Sequence, residues 1–159
     1  MIVSGPPGVG KSFGVEQEIE KATMFDKLAG KRLRAEVVKG AATPIGLYQT
    51  LYKYSDENCV VVFDDCDSIL LDDVSLNLLK GALDSYGKRI ISWNADMRDE
   101  DLPRSFNFTG KVIFISNLDQ SSVVASCCSN YILCFLYRQR LHGDQLYSLC
   151  LSHVLQDTH

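Results

Sequence analysis

No stretch of the 159-residue sequence approaches the roughly 20 consecutive apolar residues of a membrane-spanning helix, so no membrane partner is expected and the cytosol is the default location. Basic charge is not in surplus. The 16 Lys and Arg against 20 Asp and Glu give a formal net charge of -4, which excludes a surface that coats nucleic acid by charge alone and leaves room only for a local patch. The six cysteines contain no C-x-x-C pair, and the three histidines form no ligand set with them, so a zinc site is not expected. Cys59 and Cys66 flank an apolar run, while Cys127, Cys128, Cys134 and Cys150 crowd the last third. Reduced, partly buried thiols fit that placement.

What is present is an ordinary globular composition, 46% hydrophobic and 23% charged, at a length suited to one domain with a substantial core. The chain is organised around its start. Met1-Ile2-Val3-Ser4 reads as a short buried strand, and Gly5-Pro6-Pro7-Gly8-Val9-Gly10-Lys11-Ser12 reads as a glycine-rich turn that opens a helix. The spacing Gly5-x-x-x-x-Gly10-Lys11-Ser12 fits a phosphate-binding loop. Glycines let successive N–H groups point inward at phosphate oxygens, and the following helix adds unpaired N–H groups and the positive end of its dipole. Lys11 is placed to reach terminal phosphates and the Ser12 hydroxyl to ligate magnesium.

An amphipathic helix is expected from Ser12 to about Leu28, with apolar Phe13, Val15, Ile19, Ala22 and Phe25, closing at Gly30-Lys31-Arg32. The basic cluster Lys31, Arg32 and Arg34 reads as a solvated face. Leu33 to Val38 reads as a strand ending at Lys39-Gly40. A second helix spans Ala41 to Tyr54, with Thr43 as cap and Pro44 as first helical residue. Cys59-Val60-Val61-Val62-Phe63 is a β-branched and aromatic run of the kind buried on both faces of a parallel sheet. Asp64, Asp65 and Asp67 follow it. A third helix is expected over Val74 to Tyr86, a short strand within Arg89 to Asn94, and then a polar stretch leading to Phe106-Asn107-Phe108. Lys111-Val112-Ile113-Phe114-Ile115-Ser116-Asn117 is a further apolar strand with a polar end.

The acid pair and the terminal amide complete a chemistry with the loop. A carboxylate at a strand's carboxyl end beside a phosphate loop holds magnesium, usually through water, which assigns that role to Asp64. Asp65 would orient or deprotonate a water. Asn117, ending a strand that lies beside the first, would hydrogen-bond the water or the terminal phosphate.

Gly5 to Ser12, Val60 to Asp65 and Ile113 to Asn117, in this order with helices between, resemble the Walker A loop, Walker B strand and sensor 1 asparagine of the AAA+ ATPases. The resemblance covers about residues 1–120, and phage-encoded members with an aspartate pair after the Walker B strand look particularly similar; for such a chain the location would be the host cytoplasm. The resemblance implies an α/β fold: a three-layer αβα P-loop NTPase with a mostly parallel sheet, strand order 5-1-4-3-2, a hairpin insertion over Arg89–Gly110 before the sensor strand, and a lid that is truncated or absent. It implies ATP and Mg²⁺ as cofactors, a homo-oligomeric ring or filament, a protein or nucleic acid as the thing remodelled, and an arginine from a neighbouring subunit completing hydrolysis.

Three departures stand against that pattern. The acid pair is Asp64-Asp65 where the family typically has Asp-Glu. The sequence starts almost at the first strand, so the adenine-contacting segment that precedes it in the family is expected to be missing. The region Ser121 to Ser129, matching the helix that bears the arginine finger, contains no Arg or Lys. Residues 121–159 have two readings. Either Tyr131 to Tyr137 is a fifth strand and Gly143 to Gln156 the start of a lid, or the tail is an abnormal or truncated continuation. Arg98, Arg104, Arg138 and Arg140 are unassigned. Alternative functions are a superfamily 3 helicase, with the Arg89–Gly110 insertion on single-stranded DNA, a nucleotide-binding protein with little hydrolysis, and a small-molecule kinase.

Overall fold

The computed structural model describes residues 2–30, 34–84, 88–94 and 101–117. The elements run β1 (Ile2–Ser4), α1 (Lys11–Leu28), β2 (Arg34–Lys39), α2 (Pro44–Lys53), β3 (Cys59–Asp64), α3 (Asp67–Leu71), α4 (Asp73–Ala82), β4 (Ile90–Ser92), β5 (Ser105–Asn107) and β6 (Lys111–Ser116). The expected fifth strand and lid, the finger helix over 121–129, and Arg98, Arg138 and Arg140 all lie outside the described residues.

The main sheet is parallel, in the order β1-β6-β3-β2. A position beyond β1 is where the implied order 5-1-4-3-2 calls for a further strand from the tail. All six residues of β3 are buried, as expected for a strand that is covered on both faces and flanked by β2 and β6. Its side chains alternate between two cores. Val60 and Val62 join Val3, Ile113 and Ile115 under Val15 and Ile19 of α1. Val61 and Phe63 join Val112 and Phe114 on the opposite face, with Leu47, Tyr48 and Leu51 of α2, Ile69 and Leu70 of α3, and Leu78 and Leu79 of α4. Phe63 stacks on Phe114 with ring centroids 5.0 Å apart. Helices therefore cover both faces of a parallel sheet, the α/β arrangement. Each fully buried apolar side chain contributes about 1.5–3 kcal/mol.

The helix boundaries show where periodicity misleads. Of the apolar side chains of α1, Val15, Ile19 and partly Ala22, spaced i, i+4, i+7, pack on the sheet. Phe13 and Phe25 fall off that stripe and are 65% and 67% exposed, so they are not core residues. Thr43 caps α2 by accepting the Gly46 N–H at 3.2 Å, with Pro44 in the first turn. The expected third helix, Val74 to Tyr86, is α4, which starts one residue earlier and ends at Ala82. A short helix that was not expected, α3, precedes it and ends at Leu71, and Asp72, extended at φ -102° and ψ 123°, starts α4 by accepting the Ser75 N–H at 2.7 Å.

β4 and β5 form a separate antiparallel pair, Ile90 opposite Asn107 and Ser92 opposite Ser105. Aromatic packing docks this pair on α2. The Tyr48 ring lies 5.7 Å from Trp93 and 5.1 Å from Phe106, its hydroxyl donates to Pro103 O at 2.8 Å, and Tyr52 meets Phe106 at 5.3 Å. Thr109 and Gly110 then tie back through their N–H groups to Ser55 O at 2.7 and 3.1 Å, which aims the chain into β6.

Gly110 has no room for a side chain: a Cβ there would sit 2.5 Å from Tyr54 O and 3.0 Å from the Phe108 ring. The backbone atom cannot swing aside, so Gly110→Ala should lower unfolding free energy by about 1–3 kcal/mol, read as a lower urea midpoint at unchanged slope.

Candidate functional site

The site lies at the carboxyl ends of β1, β6, β3 and β2, where the register aligns the tips: Ser4 with Ser116, Asp64 with Ile115, and Lys39 with Asp64. The loop from β1 to α1 bends through two left-handed residues, Gly8 and Gly10, both at φ 81°. A Cβ at either would meet no atom within 4 Å, so backbone conformation rather than space calls for glycine there. Gly10 also caps α1 without any side-chain hydrogen bond, which leaves the first amides of the helix to be satisfied from outside it.

Lys11 turns its ammonium back into this loop, donating to Gly5 O and Pro6 O at 2.9 Å each, and to Asn117 Oδ1 at 2.9 Å. Asn117 in turn donates its Nδ2 to Asp65 Oδ1 at 2.6 Å. The amide orientation follows from chemistry, because the reverse would set NH₂ against an ammonium and oxygen against a carboxylate. Ser12 donates its hydroxyl to Asp64 Oδ1 at 2.9 Å. The structure thus brings Lys11, Ser12, Asp64, Asp65 and Asn117 together across the strand tips, in the chain Lys11–Asn117–Asp65 and the pair Ser12–Asp64 beside it. Pro6, Pro7 and Val9 lie on the exposed rim of the loop.

Asp64 is 4% exposed, and its second oxygen faces Lys39 Nζ at 3.5 Å. Lys39 also donates to Glu16 Oε1 at 3.1 Å. The Glu16 hydrogen bond, followed by the Glu16 charge and more weakly by Asp64, raises the Lys39 pKa above its ordinary value, so its positive charge persists through neutral pH. Asp65 has a left-handed backbone at φ 55°, and its N–H donates to Ile115 O at 3.1 Å. Asp67, the third acid, accepts the buried Ser116 hydroxyl at 2.6 Å.

Lys39, Glu16, Asp67 and Ser116 are the site residues that sequence reasoning missed. A signal for Lys39 was present: it ends β2 just before Gly40, as Asp64 ends β3, so parallel pairing sets them side by side. No comparable signal marked Ser116 beyond its place before Asn117.

Among the described residues no three His, Cys, Asp or Glu side chains converge as a metal cage. A magnesium held by one carboxylate, one hydroxyl and the phosphates of a nucleotide needs no such cage, and the Ser12–Asp64 pair beside the loop is a donor set of that kind. A groove between α4 and β4, lined by Leu78, Gly81, Ile90 and Trp93 among others, shares no residue with these tips and carries no titratable side chain.

Phosphate loop, acid pair and amide on adjacent parallel strands define a P-loop nucleotide-binding protein. The family "ATPase family associated with various cellular activities (AAA)" matches residues 1–116, and the chain belongs to it. The chain is also similar to the uncharacterized 36.7 kDa protein of the nrdC-mobD intergenic region of Enterobacteria phage T4, at 32% identity over 122 residues. That match covers 75% of this chain and 36% of the phage protein, so the chain spans little more than a third of that relative's length.

Two outcomes test the local physics. A double-mutant cycle with Ser116→Ala and Asp67→Ala should give a coupling of about 1–2 kcal/mol, as for a hydrogen bond to a charged acceptor. Cys66, 2% exposed, has its thiol pKa raised, first by burial and then by the Asp64 charge. The unfolded chain therefore releases that proton first as pH climbs, and stability falls through the alkaline range. Unfolding titrations between about pH 8 and 10 should show a smaller loss in Cys66→Ala than in the natural chain.

Proposed function

We propose that the chain is the ATP-binding core of an AAA+ ATPase, hydrolysing ATP with Mg²⁺ to drive remodelling of a protein or nucleic acid. The observation that carries this reading is the Lys11–Asn117–Asp65 chain, at 2.9 and 2.6 Å. It links the loop's cation, the strand-ending amide and the second acid in the order that attack on a terminal phosphate requires.

In this reading the amides of Gly8 to Ser12 and the α1 N-terminus cradle the phosphates. Lys11 exchanges its carbonyl partners Gly5 and Pro6 for phosphate oxygens and offsets charge that develops there. Ser12 and Asp64 hold magnesium, which when bound neutralises phosphate charge. Asp65 and Asn117 position the attacking water, with Asp65 the acceptor of its proton. No covalent intermediate forms. The tips are partly open to solvent, and a neighbouring subunit supplying an arginine fits a homo-oligomeric ring or filament. A cytoplasmic location, that of the host for a phage-encoded chain, goes with this reading.

A second reading, nucleotide binding with slow turnover, rests on Asp65. Its side chain is one methylene shorter than glutamate, and it is engaged by Asn117. Membership of an ATPase family favours water over a small-molecule acceptor, and so disfavours the kinase. The helicase variant adds only a substrate, single-stranded DNA on the β4–β5 pair.

Measurements on three proteins separate these readings. Lys11→Ala should abolish both ATP-dependent thermal stabilisation and phosphate release. Asp65→Asn should bind ATP within a few-fold of the natural chain yet release phosphate about 10²–10⁴ times more slowly. Turnover per chain in the natural protein should rise with protein concentration if sites are shared. Phosphate release equal in the natural chain and in Lys11→Ala would sink the ATPase reading, while binding without release would leave the second.

A further inference from the structure

Lys39 is a cation at the strand tips with no part in the proposed hydrolysis. Lys39 ends β2 in register with Asp64, and its Nζ lies 3.5 Å from Asp64 Oδ2 and 3.1 Å from Glu16 Oε1. Asp64 is almost enclosed, with its side chain 6% exposed, whereas Lys39 is 59% exposed and Glu16 45%. Glu16 stands one helical turn after Ser12 on α1, so Ser12 and Glu16 flank Asp64 from the same helix face. Asp64 therefore divides its charge between two donors, the Ser12 hydroxyl on Oδ1 and the Lys39 ammonium at Oδ2. A buried carboxylate needs such a counter-charge. A divalent cation held by Ser12 and Asp64 draws on the same carboxylate and meets a fixed positive charge a few ångströms away.

We infer that Lys39 is a positioning residue for the metal, a resident counter-ion on Asp64 that sets how much free Mg²⁺ the site demands. Glu16 already holds the ammonium by the shorter contact, 3.1 Å against 3.5 Å to Asp64, and keeps it when magnesium takes its share of Asp64. This rests on the assignment of Asp64 and Ser12 to magnesium made above. The geometry makes the effect directional. Removing the ammonium strengthens the pull of Asp64 on a divalent cation. Removing the Glu16 charge leaves the ammonium resting on Asp64 and weakens that pull. One unit charge at this range in a half-exposed site alters the required concentration roughly three- to tenfold, and salt screens the effect because the ammonium is exposed.

The test is fluorescent ATP-analogue binding by the full 159-residue chain, titrated with Mg²⁺ in chelator-buffered solution, with the midpoint of the Mg²⁺-dependent gain in affinity as the readout. Lys39→Met and Lys39→Gln should lower that midpoint roughly three- to tenfold. Lys39→Arg should keep it near the natural value, and Glu16→Gln should raise it. The difference between Lys39→Met and the natural chain should shrink at high ionic strength. A merely structural ion pair would change the melting temperature and leave the midpoint alone. An unchanged or raised midpoint in both neutral variants, with nucleotide still bound, overturns the inference by itself. A natural chain that binds the analogue equally well with and without Mg²⁺ overturns the magnesium assignment and this inference with it.

Discussion

The structure depends on the register of four parallel strands. β3 and β6 are buried on both faces, and their alternate residues are committed to different cores: Val60, Val62, Ile113 and Ile115 to one, Val61, Phe63, Val112 and Phe114 to the other. A slip of one residue would exchange the two sets, putting Phe63 under α1 where Val62 fits. Core packing thereby fixes the register, and the register fixes which residues leave the sheet together. Ser4 beside Ser116 and Asp64 beside Ile115 are consequences of apolar packing deeper in the sheet. The polar tips inherit their spacing from it. Sequence separation costs little here once the sheet forms, since Lys11 and Asn117 are 106 residues apart and meet at 2.9 Å.

That inherited spacing has an electrostatic consequence. Three carboxylates, Asp64, Asp65 and Asp67, lie within four residues, a concentration of like charge that would splay an unsupported turn. Each acid has its own donor from a different element: Ser12 and Lys39 for Asp64, Asn117 for Asp65, Ser116 for Asp67. The donors come from α1, β2, β6 and the residue after it, so the acidic turn is stapled to all its neighbours. Backbone contacts reinforce this, with the Asp65 N–H on Ile115 O at 3.1 Å and the Gly40 N–H on Asp64 O at 3.3 Å. Each acid of the turn thus has a hydrogen-bond donor or cation in the folded form, although only Asp64 has a cation beside it.

Much of this was legible in the sequence, for reasons that differ by element. The loop Gly5 to Ser12 is readable because its chemistry demands particular residues at fixed offsets, and β3 and β6 are readable because burial on both faces demands unbroken apolar runs. The Thr43-Pro44 cap was visible as local chemistry. The helices were less so. Phe13 and Phe25 looked like core because an apolar residue in a helical stretch invites that reading, yet 100° of rotation per residue carries them off the stripe of Val15, Ile19 and Ala22. The helix α3 was hidden because its five residues, Asp67 to Leu71, are too few to show a helical period. Lys39 and Asp67 were harder to read for another reason. Their partners, Asp64 on the neighbouring strand and Ser116 at the end of β6, are distant in sequence, and only the pairing of β2 with β3 gives a signal for the first.

The same cross-strand view bears on the acid pair. Asp65 occupies the left-handed region at φ 55°, where Asp and Asn are several-fold enriched over other non-glycine residues because a short polar side chain can hydrogen-bond locally. The conformation follows from two ties, the Asp65 N–H to Ile115 O and the Asp65 carboxylate to Asn117. A glutamate at this position would bear at least the same backbone cost, and its longer stem would have to fold back to keep an amide that Asp65 meets at 2.6 Å. The departure from Asp-Glu to Asp-Asp is thus compatible with a working turn, since the shorter acid is the one this backbone accommodates. In the proposed mechanism the reach of Asp65 is therefore set through Asn117, by β6 and its register, as well as by the side chain's length.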